Sequence, residues 1–431
     1  MAAVGLVQMK MVLAAIIEAI FTVMGTPDTS VRQCPLAMDK WIALVVGESQ
    51  LALGLTLNTR SLSVAITPKY LAETLNLIQT TWHQRRKRFS ASEASKLVGK
   101  LGRLAEGAPW VRYLVSFLYT SIALALAQNR EFLMSSSKEF KKLIAQIKSK
   151  NFAYKTKKNH QKVILFALKK VARQVHRSKL EHNILPSMRE EIDFFERALK
   201  RGTGVSWESP IAFLIKKTPV STTFGDACLD AGGGYSLKMK FWWHIQFPDE
   251  IVQRTLKHLS NNESNNFISI NVLEFLVVII NYCAALTVVT TERFTDDPHP
   301  VLLNIVDNTS AHSWTTHTCK ASHLGKLLAK FLCYLLMDPI LGINSSWIST
   351  TDNYIADDIS RIKKLDATSS QQFVFDYSSL PQKYPQLRNF RFFQPSQELL
   401  SMLWRILLHK ELPSLDQVRI LKQPGLAKLI S

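Results

Sequence analysis

Cysteine is scarce: the 431 residues hold five, Cys34, Cys228, Cys283, Cys319 and Cys333, and no two form a CxxC pair. That spacing argues against a zinc site and against a disulfide framework, and several of the five sit in apolar runs where a buried thiol is the ordinary reading. The expected setting is intracellular and reducing, nuclear or cytoplasmic. Acidic residues are also few, 34 Asp and Glu against 53 Lys and Arg, which leaves a formal charge of +19. Such an excess repels itself unless a polyanion meets it, so nucleic acid is the first candidate partner and an anionic membrane surface the second. A convincing secretory leader is lacking, because Glu18 interrupts "MAAVGLVQMKMVLAAIIEAIF" and no cleavage site follows; the stretch reads as a helix cut from a larger context. The other long apolar run, Val272 to Val289, contains Glu274 and Asn281 and reads as a core helix rather than a membrane span. There is no internal repeat.

What is present is an apolar share of 47%, enough for a real core in two or three domains. The charge is localised: Thr81 to Leu180 holds 23 Lys and Arg against 4 acids, an excess equal to that of the whole chain. Upstream, "QLALGLTLNTRSLSVAITP" alternates around "NTRS" as a β-hairpin does, and Pro68 opens a helix to about Trp82. The basic knot "HQRRKRF" follows, then two helices separated at "EGAP", where Gly107 stops one and Pro109 starts the next. Further helices are expected near Ser137 to Lys150, His160 to Arg177 and Pro186 to Lys200, with a loop from Lys148 to Lys162. Candidate phosphate contacts are Arg85, Arg86, Lys87, Arg88, Lys96, Lys100, Arg103 and Arg112, with Trp110 beside the last as a possible duplex seat or simply core.

After Gly204 the pattern turns to a three-strand meander followed by α/β units. The first strand leads into "FGDACLDAGGGYS", whose lone Asp and three glycines allow a phosphate cradle, a metal site or a tight turn. The glycines lie between two strand-like runs, so they read as a hairpin whose turn needs positive φ. Asp226 closes the first strand; Glu274 sits in the first turns of "SINVLEFLVVII", off the stripe of Val272, Phe275, Leu276, Ile279 and Ile280. Asp307 follows the strand-like "VLLNIV", with Asn308 or Thr309 free to cap the next helix, and Asp357 lies one turn into a helix opened by Asp352 or Asn353. Taken singly, each acid is an ordinary cap or turn. Four of them at element ends repel one another unless cations are present, and hard oxygen ligands suit two Mg²⁺ or Mn²⁺ ions.

These motifs carry a resemblance. "FGDACLDAGGGYS", "INVLEF", "VDNTSA" and "TTDNYIADDISR" resemble, in order, the Asp, Glu, Asp and Asp motifs of the ribonuclease H domain of reverse transcriptases from LTR-type and DIRS-type retroelements. The resemblance implies an α/β ribonuclease H-like domain with a mixed sheet, a meander and then α/β units. It also implies two Mg²⁺ ions on Asp226, Glu274, Asp307 and Asp357, with Asp358 as the alternative fourth ligand, and hydrolysis of the RNA strand of an RNA–DNA hybrid. "LALGLTLNTRSLSVAITPKYLAETLNLI" looks like a primer-gripping hairpin entering a thumb, and "LVGKLGRLAEGAPWVRYLVSFL" like thumb or connection helices. The expected organisation is a palm remnant at 1–49, hairpin and thumb-like helices at 50–130, a basic helical connection at 131–205, the ribonuclease H-like domain at 206–368, and a tail with one amphipathic helix at 369–431. Two departures stand out: no paired-Asp polymerase turn precedes the hairpin, "FTDD" being read as a loop, and no His precedes the last Asp in "WISTTDNYIAD". Polymerase activity is therefore not expected, and any partner chain supplying it is unidentified. The competing reading is a catalytically inactive retroelement remnant that binds nucleic acid through its basic helices.

Overall fold

The computed structural model describes residues 49–136, 181–200, 205–259, 267–316, 322–422 and 428–430, with Glu18 and apart from short interruptions at 53–54, 59, 215–216, 293, 338–339, 363, 366–373 and 376–378. The helices expected over 137–150 and 160–177 lie outside the described residues, as does the N-terminal apolar stretch except Glu18.

The alternation around "NTRS" becomes strands β2 (Leu55–Asn58) and β3 (Ser63–Ile66), joined antiparallel to β1 (Ser49–Ala52) and β6 (Glu208–Pro210) in a four-stranded sheet. Helix α1 (Pro68–Thr81) starts on Pro68 behind an N-cap Thr67, as proline's fixed φ favours. The basic knot leads into β4 (Arg88–Ser90), which pairs with β5 (Glu181–Asn183). Ser90 and Glu93 then form a reciprocal capping box that opens α2 (Ala91–Gly107), followed by α3 (Val111–Ser136) and α4 (Pro186–Leu199).

The second part is a mixed seven-stranded sheet in the order β11-β10-β7-β8-β9-β14-β15. Its centre is the antiparallel meander β7 (Ser221–Ala227), β8 (Ala231–Ser236) and β9 (Phe241–Gln246). On one side β10 (Val301–Val306) and β11 (Gly342–Trp347) continue it in parallel. On the other side β14 (Arg391–Gln394) runs parallel to β9 and β15 (Lys428–Ile430) antiparallel to β14. The region read as a tail thus contributes two strands to the sheet as well as its amphipathic helix. Short strands β12 (Lys364–Leu365) and β13 (Val374–Phe375) pair with each other. The remaining helices are α5 (Asp249–Leu259), α6 (Ile270–Glu292), α7 (Thr309–Thr316), α8 (His323–Leu336), α9 (Tyr354–Ser360), α10 (Ser379–Lys383), α11 (Gln397–His409) and α12 (Leu415–Ile420). The chain is therefore mixed α/β.

Helix α6 is long and apolar enough to cross a membrane, yet Val272 to Leu286 is buried without a break inside the fold. The expected stripe with a polar flank is accordingly replaced by a helix buried all round, which is the environment of a central core helix. One apolar core runs from Ile66 through α2, α3, α4 and α6 to Val418, so the helical part and the sheet share an interior. Polar links cross it: Tyr113 donates its hydroxyl to the Thr315 carbonyl at 2.6 Å, and Lys330 Nζ reaches Glu191 at 2.8 Å and Glu190 at 3.0 Å. Lys330 and Glu191 are both buried, so each charge depends on the other to remain in the interior.

The three glycines do not make a turn. Gly232, Gly233 and Gly234 lie inside β8, none with positive φ, and the turn is carried by Cys228 to Asp230. Their role is close approach on alternate faces of the strand. A Cβ on Gly234 would stand 2.4 Å from Asn281 Oδ1 of α6, and one on Gly233 2.4 Å from Ile359 Cγ2 and 3.0 Å from the Ile359 carbonyl carbon of α9. Two helices thus press on one strand from opposite sides, which the positive-φ expectation missed.

Candidate metal centre

The parallel strands β7 and β10 end side by side, and each ends in an acid: Asp226 is the penultimate residue of β7 and Asp307 directly follows β10. Helix α6 crosses behind β7 and brings Glu274 to the same end, where its carboxylate accepts the Ala227 backbone N–H. Oxygens of Asp226, Glu274 and Asp307 all lie within 4.8 Å of one another. Asp226 and Glu274 are each only 5% exposed, whereas Asp307 is half-buried, so the cluster opens to solvent on the Asp307 side.

Helix α9 completes the arrangement from the face opposite α6. Its start is pinned by Asn353, whose side-chain amide donates to the Gly225 carbonyl at 3.0 Å, and its end by Ser360, whose hydroxyl donates to Asp226 Oδ2 at 2.6 Å. Asp357, between these anchors, stands close enough that its charge acts on both Asp226 and Glu274. Asp358 is engaged elsewhere, accepting from Lys383 and Tyr384. Although burial pulls the other way, those bonds hold the Asp358 carboxyl below its usual range. The oxygens that gather within 4.8 Å are those of Asp226, Glu274 and Asp307, and of the two adjacent acids on α9 it is Asp357 whose charge bears on them.

The electrostatics follow from this crowding. Burial pushes Asp226 up to about 6, opposed by the Ser360 hydrogen bond and reinforced by the charges of Asp307 and Asp357. Burial likewise raises Glu274 well above the ordinary carboxylate range, with Asp226 and Asp307 adding to it. Glu274 Oε2 is buried with no hydrogen-bond partner among the described residues, the kind of orphaned oxygen that a cation satisfies. Three carboxylates with a spare buried oxygen suit a hard divalent ion. Below the acids, Asn304 Oδ1 accepts from Thr223 and from Asn281, each at 3.0 Å, and Asn281 Oδ1 accepts the Trp243 indole N–H at 2.8 Å. This buried chain ties β7, β9, β10 and α6 together under the site.

Sequence reading missed Ser360 and Arg361. Both were legible in "ADDISR": they lie three and four residues after Asp357, hence on its side of a helix. Arg361 Nε is 2.7 Å from Asp357 Oδ1.

The basic candidates separate into two groups. The Arg86 guanidinium is spent internally, donating to the Thr81 and Arg88 carbonyls and to Glu93, so it shapes the knot instead of reaching outward. Lys100 pairs with Glu73, Arg103 with Glu106, and Arg88 with Glu181 at 3.7 Å. Arg85, Lys87, Lys96 and Arg112 are exposed and have no acidic partner among the described residues. Trp110 is 3% exposed and packs against Trp207 with ring centroids 5.2 Å apart, which makes it core and removes it as a seat for a duplex.

Neither a protein-family model nor a curated protein matches this sequence. Among solved structures, a foamy viral protease-reverse transcriptase in complex with an RNA/DNA hybrid is similar at 8% identity and a TM-score of 0.20, covering 76% of this chain and 32% of that one. The alignment thus spans about a third of that chain's length, and so slight a likeness carries no argument about fold or function.

Proposed function

We propose that the chain is the thumb, connection and ribonuclease H-like part of a retroelement reverse transcriptase, and that it hydrolyses the RNA strand of RNA–DNA hybrids. The observation that carries the reading is the convergence of Asp226, Glu274 and Asp307 within 4.8 Å at the carboxyl end of parallel strands. In this reading 206–368 is the ribonuclease H-like domain, 50–130 the primer-grip hairpin and thumb-like helices, and 131–205 the basic connection. Asp226, Glu274, Asp307 and Asp357 would hold two Mg²⁺ or Mn²⁺ ions. When bound, such ions activate a water on one side of a phosphodiester and stabilise the leaving oxygen on the other.

The chain's own residues set the stage for that chemistry. The Ser360 hydroxyl orients Asp226, and the Ala227 N–H orients Glu274. Asp307 is half-buried whereas Asp226 and Glu274 are buried, so in this reading a phosphate would approach from the Asp307 side. Arg85, Lys87, Lys96 and Arg112, exposed and without an acidic partner among the described residues, would supply positive charge for the duplex backbone.

Incubation of the purified chain with an end-labelled RNA–DNA hybrid and Mg²⁺ tests the reading. Shortened RNA with intact DNA, lost in EDTA and in Asp307→Asn, is the expected result. One observation favours the second reading, an inactive remnant: Arg361 already supplies a cation to Asp357. Hybrid binding that falls steeply with salt, with no cleavage in Mg²⁺ or Mn²⁺, would establish that alternative.

A further inference from the structure

Trp347 is the last residue of β11, the edge strand of the large sheet, and it stands in register with Val306, the residue before Asp307. Its indole Nε1 donates to the Asp307 carbonyl oxygen at 2.7 Å. That bond uses the ring's single polar atom and fixes the ring beside the acidic cluster. Even so, 49% of the residue is exposed. A side chain whose burial is worth a great deal is thus held open to solvent, at the rim of a site built for a cation, in a chain carrying +19.

We infer that Trp347 is a stacking platform for a base of a nucleic-acid strand whose phosphate backbone approaches the Asp226, Glu274 and Asp307 cluster. The inference rests on the nuclease reading for the position of that strand. A ring with its N–H already taken offers only its π-face. A π-face receives any base without reading its hydrogen-bonding edge, as a sequence-tolerant contact needs. The ligand that arrives here must join a planar, largely apolar ring to an anion that tolerates a metal-binding site next door. A nucleotide strand has both parts in one covalent unit, and the charge excess of the chain selects for it over an ordinary protein surface. Among the described residues β11 is the edge strand of the sheet, so no strand is paired with it beyond the ring.

The test uses the full chain and a fluorescent RNA–DNA hybrid, with equilibrium binding in EDTA, cleavage in Mg²⁺ and thermal melts on each variant. W347A should weaken hybrid binding by roughly 5- to 100-fold, the range expected for one lost stack. The slope of affinity against salt should stay unchanged, because no phosphate contact is removed. W347F keeps a ring and loses the bond to Asp307, so it should bind within about threefold of wild type; hybrids carrying abasic positions should bind wild type as weakly as intact hybrid binds W347A. If W347F falls as far as W347A, the residue acts by holding Asp307 and the platform is wrong. If both variants bind like wild type, Trp347 is a protein contact and the platform is again wrong. The two readings fail separately. Wild type that binds the hybrid through Trp347 but does not cut it keeps the platform and sinks the nuclease, whereas wild type that cuts, with W347A binding normally, does the reverse. Wild type that fails to bind a hybrid at all overturns both.

Discussion

Arg361 Nε lies 2.7 Å from Asp357 Oδ1, one turn along the chain, and so places a positive charge on an acid whose own charge bears on Asp226 and Glu274. The pair is on the surface, with Arg361 largely exposed, and pairs of that kind contribute about 1 kcal/mol or less to folding. Its larger effect is on ion binding, since the guanidinium and a divalent cation compete for the same carboxylate. Arg361→Gln should therefore melt within a few degrees of wild type without metal but gain more stability from Mg²⁺, with a lower concentration giving half the effect. Melts across a Mg²⁺ titration read this directly; identical titration curves would mean that Asp357 takes no part in binding the ion.

Asp307→Asn separates a metal centre from a set of helix caps. Crowded carboxylates repel, so removing one charge should leave the metal-free protein as stable as wild type or slightly more so. The same change should remove hybrid cleavage and most of the Mg²⁺-dependent rise in melting temperature. Helix α7 is capped by Asn308, whose Oδ1 accepts the Ser310 and Ala311 N–H groups, so Asp307 is not needed for that task. A variant that is less stable by about 1 kcal/mol with and without Mg²⁺ would show that Asp307 serves the local backbone after all.

Of the three acids that gather, Glu274, the fifth residue of α6, was legible as a charge in an apolar run, and Asp226 and Asp307 because strand ends are where periodic patterns break. The core helices were readable for the same reason: Pro68, Gly107 and Pro109 punctuate them. What escaped were consequences of tertiary approach. Nothing local says that Arg86 spends its donors on the Thr81 and Arg88 carbonyls and on Glu93, because a basic run looks alike whether solvated or folded back. The strands of the presumed tail, β14 and β15, are too short to show alternation and are fixed by pairing with β9 and with each other. The buried chain of Trp243, Asn281, Asn304 and Thr223 joins residues from four elements, and no spacing rule connects them.

Stability without metal should depend on pH through Asp226. Burial raises its carboxyl from an ordinary value of 3.8 to about 6, so the folded state holds the proton more tightly than the unfolded chain. The resulting contribution is full below about pH 4 and is lost as pH rises through about 6. In EDTA, a comparison of pH 5 with pH 7.5 should show wild type losing more stability on going up than Asp226→Asn does, because the amide has no proton to lose. Saturating Mg²⁺ should flatten the difference in wild type, since the ion favours the charged carboxylate that alkaline pH produces. Equal pH dependence in wild type and Asp226→Asn would place the titrating group elsewhere.

Gly233 offers the sharpest test of how the fold builds the site. A Cβ there would meet Ile359 Cγ2 at 2.4 Å, the Ile359 carbonyl carbon at 3.0 Å and the Ser360 nitrogen at 3.1 Å, and backbone atoms cannot turn aside as a side-chain tip can. Gly233→Ala should therefore lift α9 away from β8, carrying Ser360 off Asp226 and Asp357 away from the cluster, at a cost of about 1–3 kcal/mol for overpacking. Gly99, by contrast, sits in α2 with open space around its Cβ position, so Gly99→Ala should stabilise by about 1 kcal/mol through helix propensity alone. The decisive readout is the Mg²⁺-dependent stabilisation, which Gly233→Ala should lose out of proportion to its drop in stability while Gly99→Ala keeps it in full. If Gly233→Ala loses stability but retains the whole Mg²⁺ response, then Asp226, Glu274 and Asp307 bind the ion by themselves and α9 is scaffold, with Asp357 and Ser360 dispensable to the centre.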